Sequence, residues 1–160
     1  MKTPLQAALA VFALTAICTS AREAQEPSFS NGFELEGGLV APIEIDHGGP
    51  GRDGIPALDN PIFLEGAARD QQIRPDDRVM GVSHNGVAKA YPIAILDYHE
   101  VVNDRFGDTA LTITFCPLCG TGMAFDARVG GKQATSFGVS GLLYNSDVLL
   151  YDRRTESLWS

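Results

Sequence analysis

Asn85-Gly86 lies between two short apolar runs, Val79–Val82 and Val87–Tyr91, and this arrangement constrains the fold more than any other feature of the chain. The pair is preferred in two-residue β-turns because both central positions need positive φ, so the segment reads as an antiparallel hairpin. The same signal then recurs. Val101 and Val102 lead through Asn103 and Asp104 to Gly107, and the chain returns along Leu111–Phe115. A tight turn precedes Thr121–Phe125, and a further turn at Gly130-Gly131 precedes the last apolar runs, Phe137–Val139 and Val148–Tyr151. Pro92–Tyr98, with Ile93, Ile95 and Leu96, reads as a short helical turn leading into His99. The expectation is a mainly β fold of antiparallel hairpins with little helix.

Ahead of the hairpins runs a long segment rich in glycine and proline. Between Glu36 and Pro61 stand Gly37, Gly38, Pro42, Gly48, Gly49, Pro50, Gly51, Gly54 and Pro56. This density excludes a regular helix or a central strand and predicts a segment that wraps the domain or lines a site. The first residues have a different character: Lys2, an uncharged apolar run from Leu5 to Ile17, then the small residues Thr19, Ser20 and Ala21. That is the layout of a secretory signal peptide. The run falls short of the roughly 20 residues a spanning helix needs, and no later segment comes close. Residues 1–21 are therefore read as a signal peptide, 22–34 as a flexible leader and 35–160 as one β-rich domain. The mature protein is expected to be exported, periplasmic or extracellular, with no transmembrane helix. Acylation at Cys18 is the alternative, which Ile17 disfavours because lipoprotein cleavage wants a small residue there.

Removing residues 1–21 takes away Lys2 and no acid, leaving 11 basic against 20 acidic side chains and a net charge of −9. Nucleic acid is excluded as a partner on this ground, because binding it relies on clustered cations. Two thiols then remain, Cys116 and Cys119, in a Cys-Pro-Leu-Cys-Gly turn between two strand-like runs. In such a turn the two sulfurs point the same way, backbone N–H groups can donate to them, and Gly120 supplies the unusual backbone angles that follow. Zinc and iron sites use turns of this kind in pairs to reach four ligands. Here there is one, so further ligands must come from His99, His84, His47 or a carboxylate.

His99 is the favoured candidate, since Tyr98, His99, Glu100, Asn103 and Asp104 crowd polar groups into an apolar stretch. A Cys, Cys, His set with an open position suits zinc, and copper also takes sulfur with imidazole. Asp104 is read as a fourth ligand or as a partner to one. The alternatives stay open: in an oxidising compartment the pair can close into a disulfide, and a C-x-x-C pair can exchange electrons. The redox reading is weakened because such thiols usually sit at a helix N-terminus, and this pair is flanked by strands.

Other polar groups are candidates for a pocket: Asp53, Ser140, Tyr144, Asn145 and Asp147. Gly138-Val139-Ser140-Gly141 invites comparison with a nucleophile elbow, but that motif needs glycine where Leu142 stands. Ser140 reads better as part of a tight turn.

Taken in order, these segments resemble a known family. Gly48-Gly49-Pro50, Arg52–Leu58, Asn60-Pro61, Ala90-Tyr91-Pro92, His99–Asp104, Cys116–Thr121, Phe137–Gly141, Tyr144–Asp147, Tyr151-Asp152 and Thr155–Trp159 are similar to the bacterial family known as domain of unknown function 3179. The resemblance covers nearly all of the mature chain. It implies exported or membrane-tethered proteins, and its matching segments include His99 and both cysteines. It also implies that the chain corresponds to the N-terminal part of a longer domain, one that continues beyond Trp159.

The leading functional expectation is an exported protein with a transition-metal site, zinc or copper, at Cys116, Cys119 and His99. A non-enzymatic envelope module with a Cys116–Cys119 disulfide, or a thiol redox protein, are the alternatives. The expected partner is a small molecule or another envelope protein.

Overall fold

A computed structural model describes residues 28–131 and 133–160. The expected signal peptide and residues 22–27 of the expected leader lie outside them. The described chain forms β1 (Phe29–Ser30), β2 (Phe33–Glu34), β3 (Ile45–His47), β4 (Leu58–Asp59), α1 (Gly66–Gln72), β5 (Val79–His84), β6 (Val87–Pro92) and α2 (Ile93–His99). It continues through β7 (Val101–Phe106), β8 (Thr109–Cys116), β9 (Thr121–Asp126), β10 (Phe137–Tyr144), β11 (Asp147–Asp152) and β12 (Leu158–Trp159). The fold is mainly β, as the recurrent turn signals require.

Two four-stranded sheets carry it. One has the order β4-β7-β8-β9, the other β12-β11-β10-β3. All pairings are antiparallel except β4 with β7. Strand alternation sorts the side chains into layers. Along β8, Leu111, Ile113 and Phe115 point to a first apolar cluster shared with Tyr91, Leu96, Val102 and Phe106, which is roofed by the β5–β6 hairpin and α2. Cys116 points to the opposite face, into a second cluster with Val101, Phe137, Val139, Val148 and Leu150 between the sheets. A third cluster, on the far face of the other sheet, joins Leu142, Leu149 and Tyr151 to Phe33 and Leu35.

That third cluster changes the reading of the leader. Residues 28–34 form a small hairpin, β1 with β2, and Phe33 is buried against Tyr151 with ring centroids 5.3 Å apart. A flexible leader does not extend through residue 34. One buried aromatic, unremarked in a polar stretch, anchors the segment.

The Gly/Pro-rich segment contains only two short strands, β3 and β4, and both lie at sheet edges. Edge positions are where such residues are tolerated, because one side of the strand needs no ladder. At β10 two extra residues, Ser140 and Gly141, bulge out of the ladder with β11. Ser140 Oγ repairs the gap by donating to Leu149 O at 2.5 Å and accepting from Leu142 N–H at 3.0 Å. Gly141 is required at φ +75, since a Cβ there would lie 2.1 Å from Pro50 O. The bulge thereby lets the Gly/Pro-rich segment close against the sheet. The helix α1 was not anticipated, because its residues are all exposed and give no apolar period.

Candidate functional site

The cysteine turn is a four-residue connection, Pro117–Gly120, that closes the β8–β9 hairpin at the pair Cys116–Thr121. Gly120 N–H donates to Cys116 O at 2.7 Å, and Gly120 takes φ +70, which glycine adopts without steric cost. Cys119 N–H lies 3.2 Å from Cys116 Sγ and donates to it. Cys116 is buried and Cys119 is half-buried, both as free thiols, while Leu118 stands exposed at the tip. The Cys116 thiol is pushed up to about 12 by burial first, then by its hydrogen bond with the Cys119 side chain. The Cys119 N–H works the other way, and the charges of Cys119 and Glu100 add to the rise. At neutral pH the metal-free Cys116 is a thiol.

His99 ends α2, and its Nδ1 lies 2.8 Å from Pro56 O. A carbonyl only accepts, so Nδ1–H donates to it, and in the neutral ring Nε2 is the nitrogen that bears the lone pair. Metal-ligating histidines show this pattern, with the other ring N–H given to a carbonyl or carboxylate. Pro56 belongs to a loop whose Ile55 and Ala57 pack on the second cluster beside Cys116 and Cys119. The segment that reads as wrapping the domain or lining a site thus orients the histidine.

Glu100 closes the helix in an unusual way. Its backbone sits at φ 54, ψ −34, its N–H donates to Leu96 O at 2.7 Å, and its C=O accepts from Phe115 N–H at 2.8 Å. Residue 100 is thereby pinned to the strand one position before Cys116. A left-handed non-glycine residue costs on the order of 1–3 kcal/mol and persists only where its surroundings hold it. Glu100 is 9% exposed, and burial raises its carboxyl above the ordinary range. Reading the sequence for histidines and cysteines passed over this residue. The signal was an acid wedged between a helical turn and the Val101-Val102 strand.

Asp104 is corrected. It sits opposite Leu111, and Cys116 lies five residues further along β8, about 17 Å away at strand spacing. Its carboxylate takes Lys89 Nζ at 2.8 Å on both oxygens, Tyr91 OH at 2.6 Å and Arg105 N–H at 2.6 Å. It is a structural anchor between β6 and β7 and has no place beside the sulfurs.

The expected pocket residues do not gather in one place. Asp53 accepts from Tyr151 OH, and Ser140 is fully buried in the bulge. Asn145 and Ser146 form the β10–β11 turn with positive φ, after Tyr144, which packs on the third cluster. Asp147 does reach the cysteine hairpin: it accepts from Thr121 Oγ1 at 2.8 Å and from Val148 N–H at 2.9 Å. His47 is exposed and bonds Asn31, and His84 is half-buried with its ring edge-on to Phe106. Two clefts, of about 180 and 350 Å³, are lined by other residues. Among the described residues no three His, Cys, Asp or Glu side chains stand together as a metal-holding group. Among them, too, no helix is long and apolar enough to cross a membrane.

The geometry defines a layered, mainly β protein with a paired-cysteine turn that closes the β8–β9 hairpin. Residues 52–160 match the family described as Protein of unknown function (DUF3179), and the chain belongs to that family. The matched stretch contains Pro56, His99, Glu100, Cys116, Cys119 and Asp147. No curated protein and no solved structure matches the chain.

Proposed function

We propose that this is an exported metal-binding protein whose Cys116 and Cys119 thiolates, with His99 Nε2, hold a transition-metal ion, zinc or copper. The observation that carries the reading is the Cys119 N–H donating to Cys116 Sγ at 3.2 Å across a turn ended by a left-handed Gly120. A backbone donor aimed at sulfur stabilises a thiolate and tunes a metal centre. Half of a tetrahedral site is then preformed. The other half requires the His99 ring to turn toward the sulfurs as the ion binds, a shift of population of the kind ligands produce. Binding deprotonates the buried Cys116, so affinity rises with pH.

A second reading has its own support. The two cysteines sit in one tight turn, with Cys119 N–H 3.2 Å from Cys116 Sγ, which suits a disulfide in a non-enzymatic envelope module. A redox enzyme is disfavoured, because Cys116 is raised where redox thiols are lowered.

Elemental analysis of the full chain purified without chelator tests the proposal. Near-stoichiometric zinc or copper is expected, with loss of most of it in Cys116→Ser and Cys119→Ser. A protein free of transition metal whose thiols react only after reduction overturns the proposal in favour of the disulfide.

A further inference from the structure

Among the described residues the two four-stranded sheets end in four edges, and one of these differs from the rest. β3, β4 and β12 are edges of three, two and two residues. Edges that short offer little backbone to a partner. β9 is an edge of six residues, Thr121–Asp126, and its ladder with β8 runs through six consecutive pairs without a bulge. Natural proteins guard such edges with lysine, proline, a bulge or a covering element. β9 has no lysine or proline, and its first five residues, Thr-Gly-Met-Ala-Phe, carry no charge. Gly122, Met123 and Ala124 are exposed, Met123 at 43%. On the side away from β8, the backbone donors and acceptors of this strand are open to another strand.

The sequence of β9 fits itself. When two copies lie antiparallel about a two-fold axis that passes through Met123 perpendicular to the sheet, Met123 faces the partner's Met123. Thr121 then faces the partner's Phe125, and Gly122 faces the partner's Ala124. This register pairs all five uncharged residues, and residues of one face meet residues of the same face. Small side chains meet on the face where Gly122 lies against Met80, and a Cβ at Gly122 would stand 3.1 Å from Met80 Sδ. Larger ones meet on the other face, where Met123 and Phe125 line the cleft of about 180 Å³. Asp126, the one charged residue of the strand, falls opposite the partner's Gly120. Like charges set directly opposite destabilise a strand pair. In this register none meet, although the chain carries a net charge of −8.

We propose that β9 is the interface of a homodimer, in which two copies join edge to edge at Met123 and the β4-β7-β8-β9 sheet continues into that of the partner. The contact is isologous, the commonest symmetry of soluble oligomers. It goes beyond the metal-binding reading and does not depend on it.

Sedimentation equilibrium of the full chain, with a thiol reductant present to exclude cross-linking through cysteine, tests the interface. A species of twice the chain mass is expected; a monomer throughout the micromolar range overturns the proposal. Met123→Lys and Met123→Glu each set like charges against one another at the axis. Each is expected to dimerise at least about tenfold more weakly than the wild type, with an unchanged far-ultraviolet circular dichroism spectrum because the side chain is exposed. Mixed in equal amounts, the two variants set lysine against glutamate, and the lost affinity is expected to return. Wild-type affinity in both variants overturns the proposal by placing the contact elsewhere. A mixture no tighter than its components overturns it by denying the two-fold axis at Met123.

Discussion

Asn103 and Phe137 exchange two hydrogen bonds between the two sheets: Asn103 Nδ2 donates to Phe137 O at 2.8 Å, and Phe137 N–H donates to Asn103 Oδ1 at 2.8 Å. A side-chain amide here does what a neighbouring strand would do for a buried backbone. Asn103→Ala leaves both backbone groups without partners, and unsatisfied buried groups cost about 1–3 kcal/mol each. Urea denaturation is expected to show a loss of about 2–4 kcal/mol in Asn103→Ala. An unchanged midpoint would contradict the clasp.

The Lys89–Asp104 pair is mostly buried, with side chains 19% and 6% exposed. Breaking such a pair strands a charge and costs about 3–5 kcal/mol, whereas replacing both partners with apolar residues is often neutral. Asp104→Ala should therefore be strongly destabilising, and Lys89→Met with Asp104→Leu much less so. Where the Asp104 variant folds, its metal content should equal that of the wild type; a specific loss of metal would return Asp104 to the site.

Asp152 gives the stability curve a defined acid limb. Burial pushes its carboxyl up, but hydrogen bonds from Thr155 OH, the Trp159 indole and the N–H groups of Thr155 and Arg154 outweigh this and hold it below the ordinary range. A depressed folded value means the carboxylate stabilises the fold above the unfolded value of about 3.9, and the contribution is lost as pH falls through the lower folded one. Denaturation across pH should show Asp152→Asn less stable than wild type at neutral pH, with the gap closing below about pH 4. A gap independent of pH would assign the effect to packing.

The two thiols of the metal-free protein should differ in reactivity. Cys116 is buried and protonated, while Cys119 is half-buried. Only thiolates alkylate readily. Mass spectrometry after timed iodoacetamide treatment at neutral pH should find Cys119 labelled first, with Cys116 following only on unfolding. Equal rates would mean the turn opens freely.

The hairpins were legible because each is a local event: Asn85-Gly86, the residues around Gly107 and the Cys-Pro-Leu-Cys-Gly turn all announce themselves within a few positions. The helix before His99 was legible for the same reason. Partners set by distant packing were not. Asp104 reads as polar and near His99 in sequence, yet strand geometry carries it down β7 toward Lys89 and Tyr91. Phe33 gives no periodic signal, but its burial against Tyr151 turns a presumed leader into structure. Glu100 was hidden because its distinguishing properties are a backbone angle and its burial. Neither is written in residue type.

The edge positions of β3 and β4 carry a consequence for how the molecule assembles. β3 pairs with β10, His47 against Leu142, so one of the first strands to be synthesised must wait for one of the last. Long-range pairings of this kind slow folding, toward milliseconds to seconds in β-rich domains. The loop bearing Pro56 lies between β3, which waits for β10, and β4, which pairs with β7 in mid-chain. The contact that orients His99 therefore joins the β4–β7 side of the molecule, while the β3 end of the same loop is held back until β10 has been made.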